Sequence, residues 1–176
     1  MKVLVIHPID SSTNFLSAYH TDFTVIRTEL SDTLLKKLIR SHDVIVMMGH
    51  GTEDGLIGFN RLYINSEFVD ELRKKICICI WCHASTFVQK YNLKTPFSTG
   101  MFISEREEAV IECVEGDLQD IIKSNSQFQD ALGWAFYEMY KNGNPFLPNI
   151  LYHYDENENN HPIKQFNINK FYSNIV

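Results

Sequence analysis

Apolar residues along the chain gather in short, solid runs separated by amphipathic stretches. "KVLVIH" (2–7), "FTVIRT" (23–28), "DVIVMMG" (43–49) and "ICICIW" (76–81) are rich in β-branched and apolar residues. Such continuous runs fit strands covered on both faces, as in parallel sheets, better than the alternation of a half-exposed strand. Between them, "TLLKKLIRS" places Leu34, Leu35, Leu38 and Ile39 on one helical stripe, with Ser31 or Asp32 available as a cap. "GLIGFNRLYIN" (55–65) predicts a small hairpin turning at Asn60-Arg61. Ser66 then caps a helix over "EFVDELRKK", acidic early and basic late as the helix dipole favours. "STGMFISE" (98–105) predicts a fifth strand. Beyond it, "SEREEAVIE" predicts a solvated helix start, and Phe128, Leu132, Ala135, Phe136 and Met139 mark a helix that Gly143 ends. Residues 153–176 form a polar C-terminal segment with scattered aromatics.

Strands alternating with helices imply right-handed crossovers. The expected fold class is therefore α/β, a three-layer sandwich with a mainly parallel sheet and helices on both faces. At 176 residues the chain is expected to form a single domain over 1–176. In open sheets of this kind ligands bind outside the carboxyl ends of the strands. Two of the buried runs end there in reactive side chains. "VIVMMGHG" closes on His50 between two glycines, and "CICIWCHAS" closes on Cys82. Successive strands tend to be neighbours, so the imidazole and the thiol arrive on one rim about one strand spacing apart.

Composition narrows the chemistry. A net charge of −6 without a Lys/Arg cluster argues against nucleic acid or an anionic membrane as partner. No apolar stretch reaches the length of a membrane span, and "MKVLVIHPID" is broken too early for a signal peptide, so a cytoplasmic location is expected. Cys77, Cys79 and Cys82 crowd together, with Cys113 apart. The crowding fits neither a disulfide framework nor the knuckle spacing of a zinc site, so no metal or cofactor is expected. Cys77 and Cys79 read as small core residues and His7 as a packing residue. His83 adjoins the thiol, but neighbours along a chain seldom point together, so His50 is the better base.

A thiol is mostly protonated at neutral pH until a base takes its proton. The same imidazole can later protonate an amine leaving group. Glycines on either side of His50 leave room for a substrate chain and for the Gly51 amide to face a developing oxyanion. A buried strand ending in His-Gly, a linking hairpin and helix, and a second buried strand ending in Cys resemble the caspase-like (clan CD) cysteine peptidases. The nearest likeness is to clostripain, gingipains and CHAT domains, since the chain has "IWCHA" in place of the caspase pentapeptide. The likeness covers roughly residues 1–105.

That resemblance implies a cysteine endopeptidase acting on peptide or protein substrates. His50 would be the general base, Cys82 the nucleophile and the Gly51 amide the oxyanion donor. In this superfamily a residue just after the first strand helps line the pocket for the side chain before the scissile bond. Asp10 is the charged residue there, which implies cleavage after Arg or Lys through guanidinium or ammonium pairing, with Glu105 as a second candidate. Asp10 has an alternative local role, capping the following turn through an Asx-type bond. The rival functional reading is a catalytically inactive caspase-like binding module. A Rossmann-like binder would need a glycine-rich turn after the first strand, and "HPIDSSTN" has no glycine. Oligomeric state is open.

Overall fold

The structure, a computed structural model, describes residues 1–19, 23–155 and 161–175. Residues 156–160 of the polar C-terminal segment lie outside the described residues. The chain divides into two compact units: Met1–Gly100 joined by the last residues from Tyr172, and Met101–Phe171.

The first unit carries β1 (Val3–Ile6), β2 (Thr24–Ile26), α1 (Asp32–Ser41), β3 (Val44–Met48), β4 (Gly51–Thr52), β5 (Gly55–Gly58), β6 (Arg61–Ile64), α2 (Val69–Leu72), β7 (Ile76–Ile80), α3 (Ala84–Tyr91) and β8 (Thr95–Thr99). The strand order of the main sheet is β2-β1-β3-β7-β8-β9, with β9 (Phe171–Asn174) at the edge. The pairs β1–β2, β1–β3, β3–β7 and β7–β8 are parallel. The protein is thus α/β with a mainly parallel central sheet. All of β1 and β3 is buried, as their unbroken apolar runs predict.

Side-chain alternation sends Leu4, Ile6, Ile45, Met47, Cys77 and Cys79 to one face. There they meet Leu35 and Ile39 of α1, Val69 and Leu72 of α2, and Phe87 and Val88 of α3 in one core. Ser31 caps α1, its side chain accepting from the Leu34 amide. The expected core role of Cys77 and Cys79 holds: both are fully buried, and burial pushes the Cys77 thiol up to about 12 and that of Cys79 well above its ordinary value.

Local boundaries differ from the sequence expectation at identifiable points. The β5–β6 turn sits at Phe59 and Asn60, both with positive φ (54° and 60°), one residue earlier than Asn60-Arg61. This is the conformation a two-residue hairpin turn demands, met here without glycine. The following helix is capped by Asn65 rather than Ser66: the Asn65 side chain accepts from the Glu67 amide, and Ser66–Phe68 form a 3-10 turn before α2. The fifth strand is Thr95–Thr99, not 98–105. Pro96 cannot donate to the ladder. The hydroxyls of Thr95 and Thr99 supply compensating bonds to β7 and its end, to the Cys77 carbonyl (2.7 Å) and the Trp81 carbonyl (2.8 Å).

In the second unit, α4 (Arg106–Ile111) is followed by α5 (Leu118–Tyr137), α6 (Phe146–Asp155) and α7 (Pro162–Ile168). After α5 a π turn over Glu138–Asn142 ends at Gly143, whose φ of 69° is the left-handed stop expected there. Helices thus fill much of the C-terminal stretch that reads as polar in sequence. Phe102, Phe128, Tyr154 and Phe171 pack ring against ring. Asn167 is fully buried. Its Oδ1 accepts from the Ile103 amide (2.7 Å) and its Nδ2 donates to the Ile103 carbonyl (3.0 Å). Removing it strands a buried amide and a carbonyl, each of which costs about 1–3 kcal/mol when unpaired. Asn167→Ala is expected to lower unfolding free energy by roughly 2–4 kcal/mol in urea titration; an unchanged midpoint would show that the bonds contribute nothing.

Candidate active site

The register of β3 against β7 sets the site. Met47 pairs with Cys79 and Met48 with Ile80, and the Gly49 amide donates to the Ile80 carbonyl (3.0 Å), carrying the ladder past the end of β3. His50 and Cys82 follow Met48 and Ile80 by the same number of residues. They therefore follow the carboxyl ends of neighbouring parallel strands, which lie about 4.8 Å apart. Trp81 continues the alternation into the packed core at 2% exposure, so Cys82, next in line, turns out of it and is half-buried.

The turn beyond Cys82 is tight. The Ala84 amide donates to the Trp81 carbonyl (3.1 Å), and His83 takes the left-handed region at φ 66°, ψ 19°. Non-glycine residues in that region are uncommon and cluster at functional turns. His83 is exposed and forms the N-cap position of α3. Cys82 thus sits just ahead of a helix N-terminus.

Glycine is required on both sides of His50 for different reasons. Gly49 has φ 142°, which side-chain-bearing residues rarely adopt. At Gly51 the limit is space: a Cβ would lie 2.0 Å from Cδ1 of Trp81. The indole Nε1 also donates to the Thr52 carbonyl (3.0 Å), so Trp81 clamps the strand after His50 onto the strand before Cys82. The Ile57 amide donates to the His50 carbonyl (2.8 Å), which makes Gly51 and Leu56 a non-hydrogen-bonded antiparallel pair. The Gly51 N–H consequently points away from β5.

Asp10 and Ser12 follow β1. The Asp10 Oδ1 accepts from the Ser12 amide (2.9 Å) and the Ser12 hydroxyl (2.6 Å), the Asx-type turn anticipated as its alternative role. The Ser12 hydroxyl and amide hold the Asp10 carboxyl below the usual carboxylate range against a desolvation cost, and His50 adds to the effect. The Ser12 Oγ lies 2.6 Å from Nε2 of His50, and Asp10 Oδ1 lies 3.6 Å from the same nitrogen. His50 is half-buried and Asp10 about half-exposed. Ser12 is the site residue that sequence reasoning missed; its signal was the Asp-x-Ser spacing in "IDSS". Glu105 belongs to the second unit, where it precedes α4 as its N-cap and its amide donates to Glu108 Oε2 (3.0 Å). His7 is buried, with Nε2 3.2 Å from the Thr13 hydroxyl.

Among the described residues no helix is long and apolar enough to cross a membrane, and no group of three or more His, Cys, Asp or Glu residues could hold a metal ion. The chain matches no protein-family model, no curated protein and no solved structure.

Two outcomes follow from this geometry. Substoichiometric iodoacetamide at neutral pH should modify Cys82 ahead of the exposed Cys113, and should reach Cys77 and Cys79 only on unfolding; peptide mapping that finds Cys113 first would remove Cys82 as the activated thiol. Gly51→Ala should cost about 1–3 kcal/mol, because indole and hairpin must part, and Trp81→Phe combined with Gly51→Ala should recover part of that loss. Independent, additive losses in urea titration would show that the two residues do not share a contact.

Proposed function

We propose that the protein is a cysteine endopeptidase of the caspase-like kind, cleaving peptide or protein substrates. The observation that supports this reading is the β3–β7 pairing, which sets side by side the two strand ends that His50 and Cys82 follow. Cys82 attacks the scissile carbonyl carbon, its proton having passed to His50. The carbonyl oxygen becomes an oxyanion facing the Gly51 amide. His50 returns the proton to the departing amine as the tetrahedral intermediate collapses to a thioester. Water, deprotonated by His50, then releases the acid and restores the thiol. The turn at His83 carries the chain into α3 and leaves the half-buried thiol at the end of its strand.

Cleavage after Arg or Lys is the finer part of the proposal. Its support is a half-exposed carboxylate, Asp10, at the end of β1 and held in its charged form by Ser12. A charged carboxylate at a cleft edge selects a basic side chain.

The test is a fluorogenic peptide library with matched peptidyl acyloxymethyl ketone probes. Hydrolysis of Arg- and Lys-ended peptides and covalent capture at Cys82 are expected. Cys82→Ala and His50→Ala should each lower kcat by at least about a thousandfold, with the double variant little worse than either, because members of one unit are not additive. A folded wild-type protein that neither cleaves nor is captured would make the chain an inactive binding module of this fold. Preference for acidic residues before the scissile bond would overturn the basic pocket alone. Should His83→Gly, which suits the left-handed turn, abolish turnover while His50→Ala spares it, the base would be His83.

A further inference from the structure

We infer that Ser12 and Asp10 are positioning residues that fix His50 as the Nε2–H tautomer, leaving Nδ1 as the atom that takes the proton of the Cys82 thiol. Their catalytic value rests on the peptidase reading; the hydrogen-bond order itself does not.

Donor supply fixes the order of these hydrogen bonds. The Ser12 hydroxyl has a single hydrogen. Its oxygen lies 2.6 Å from Asp10 Oδ1 and 2.6 Å from His50 Nε2. An ionised carboxylate can only accept, so the Ser12 hydrogen goes to Asp10. The Ser12 oxygen must then accept, and Nε2 must carry the hydrogen that it accepts. Neutral imidazole holds one N–H, so Nδ1 keeps its lone pair. The Ser12 amide, also bonded to Asp10 Oδ1 (2.9 Å), prevents the carboxylate from swinging away and freeing the hydroxyl. When the Cys82 S–H bond breaks and an Nδ1–H bond forms, the products are a thiolate and an imidazolium. The Asp10 carboxylate, 3.6 Å from Nε2, faces that new positive charge across the serine. The family resemblance implies Asp10 as a selector of substrate; the bonds give it a role in the proton path that does not depend on which substrate is bound.

The experiment is long-range proton–nitrogen NMR of the imidazole side chains in the full chain, with the His50 signals identified by their loss in His50→Gln. Wild-type protein should show His50 as the Nε2–H tautomer. Ser12→Ala should give a mixture, and Asp10→Ala should shift the balance toward Nδ1–H, because the freed hydroxyl can now donate to Nε2. Ser12→Thr, which keeps the hydroxyl, should restore the wild-type pattern. In parallel, alkylation of Cys82 by iodoacetamide should slow at least about tenfold in Ser12→Ala and recover in Ser12→Thr. Amide spectra establish that each variant is folded. An Nδ1–H tautomer in the wild type would overturn the inference by itself, even if every variant failed to fold. Folded Ser12→Ala and Asp10→Ala proteins with an unchanged tautomer would overturn it as well. A fixed Nε2–H tautomer in a protein that cleaves no peptide supports this inference and counts against the peptidase reading only. Loss of turnover on neutral-ended as well as Arg-ended peptides in Asp10→Ala supports the positioning role; loss confined to Arg-ended peptides, with the tautomer intact, contradicts it.

Discussion

The parallel pairing of β3 with β7 is the constraint on which the site depends. It matches Met48 with Ile80, and the Gly49 amide extends it by one more bond. Parallel register is specified by which side chains can be buried, and a slip of one residue would exchange the faces of a strand. Here both faces of β3 are buried, so a slip would force Met47 and Cys79 to abandon the core they share with α1 and α3. The pairing of the strand ends that precede His50 and Cys82 is thus a by-product of packing that lies beneath them.

Trp81 links that packing to the rim. Its ring rests on Gly51 and stacks edge-on against Phe87 of α3 (5.8 Å between centroids), and its N–H holds Thr52. One buried side chain therefore touches the segment after His50, the segment before Cys82 and the helix that follows the thiol. The loops that bear the imidazole and the thiol are braced from below. A rigid support of this sort fixes the geometry of the groups on the loops that it braces.

Much of this was legible in the chain. The unbroken apolar runs of β1, β3 and β7 announce strands covered on both sides, and their endings at His50 and Cys82 place both groups at carboxyl ends. What was not legible depends on partners far apart in sequence. Ser12 meets His50 across the gap between two strand ends, and nothing in "IDSS" reveals that the imidazole is there. The value of Gly51 looked like clearance for substrate; clearance for Trp81 is visible only once the indole is placed. The sequence pattern puts the strand at 98–105 rather than Thr95–Thr99 because Pro96 hides a strand whose missing donor is compensated by threonine hydroxyls. Phe59 defeated the turn rule because a bulky residue at positive φ is rare enough that sequence rules do not expect it.

The most direct test of the alignment is cross-linking of the two positions themselves. His50→Cys, in a Cys113→Ser background that removes the other exposed thiol, is oxidised mildly and its peptides are mapped by mass spectrometry. A disulfide forms only when the two Cα atoms lie within about 7 Å. The account predicts a bond between position 50 and Cys82 in most molecules of the folded protein. Folded protein in which position 50 stays free or bridges between molecules, with Cys82 still reactive toward iodoacetamide, would contradict the placement of the two groups at one level.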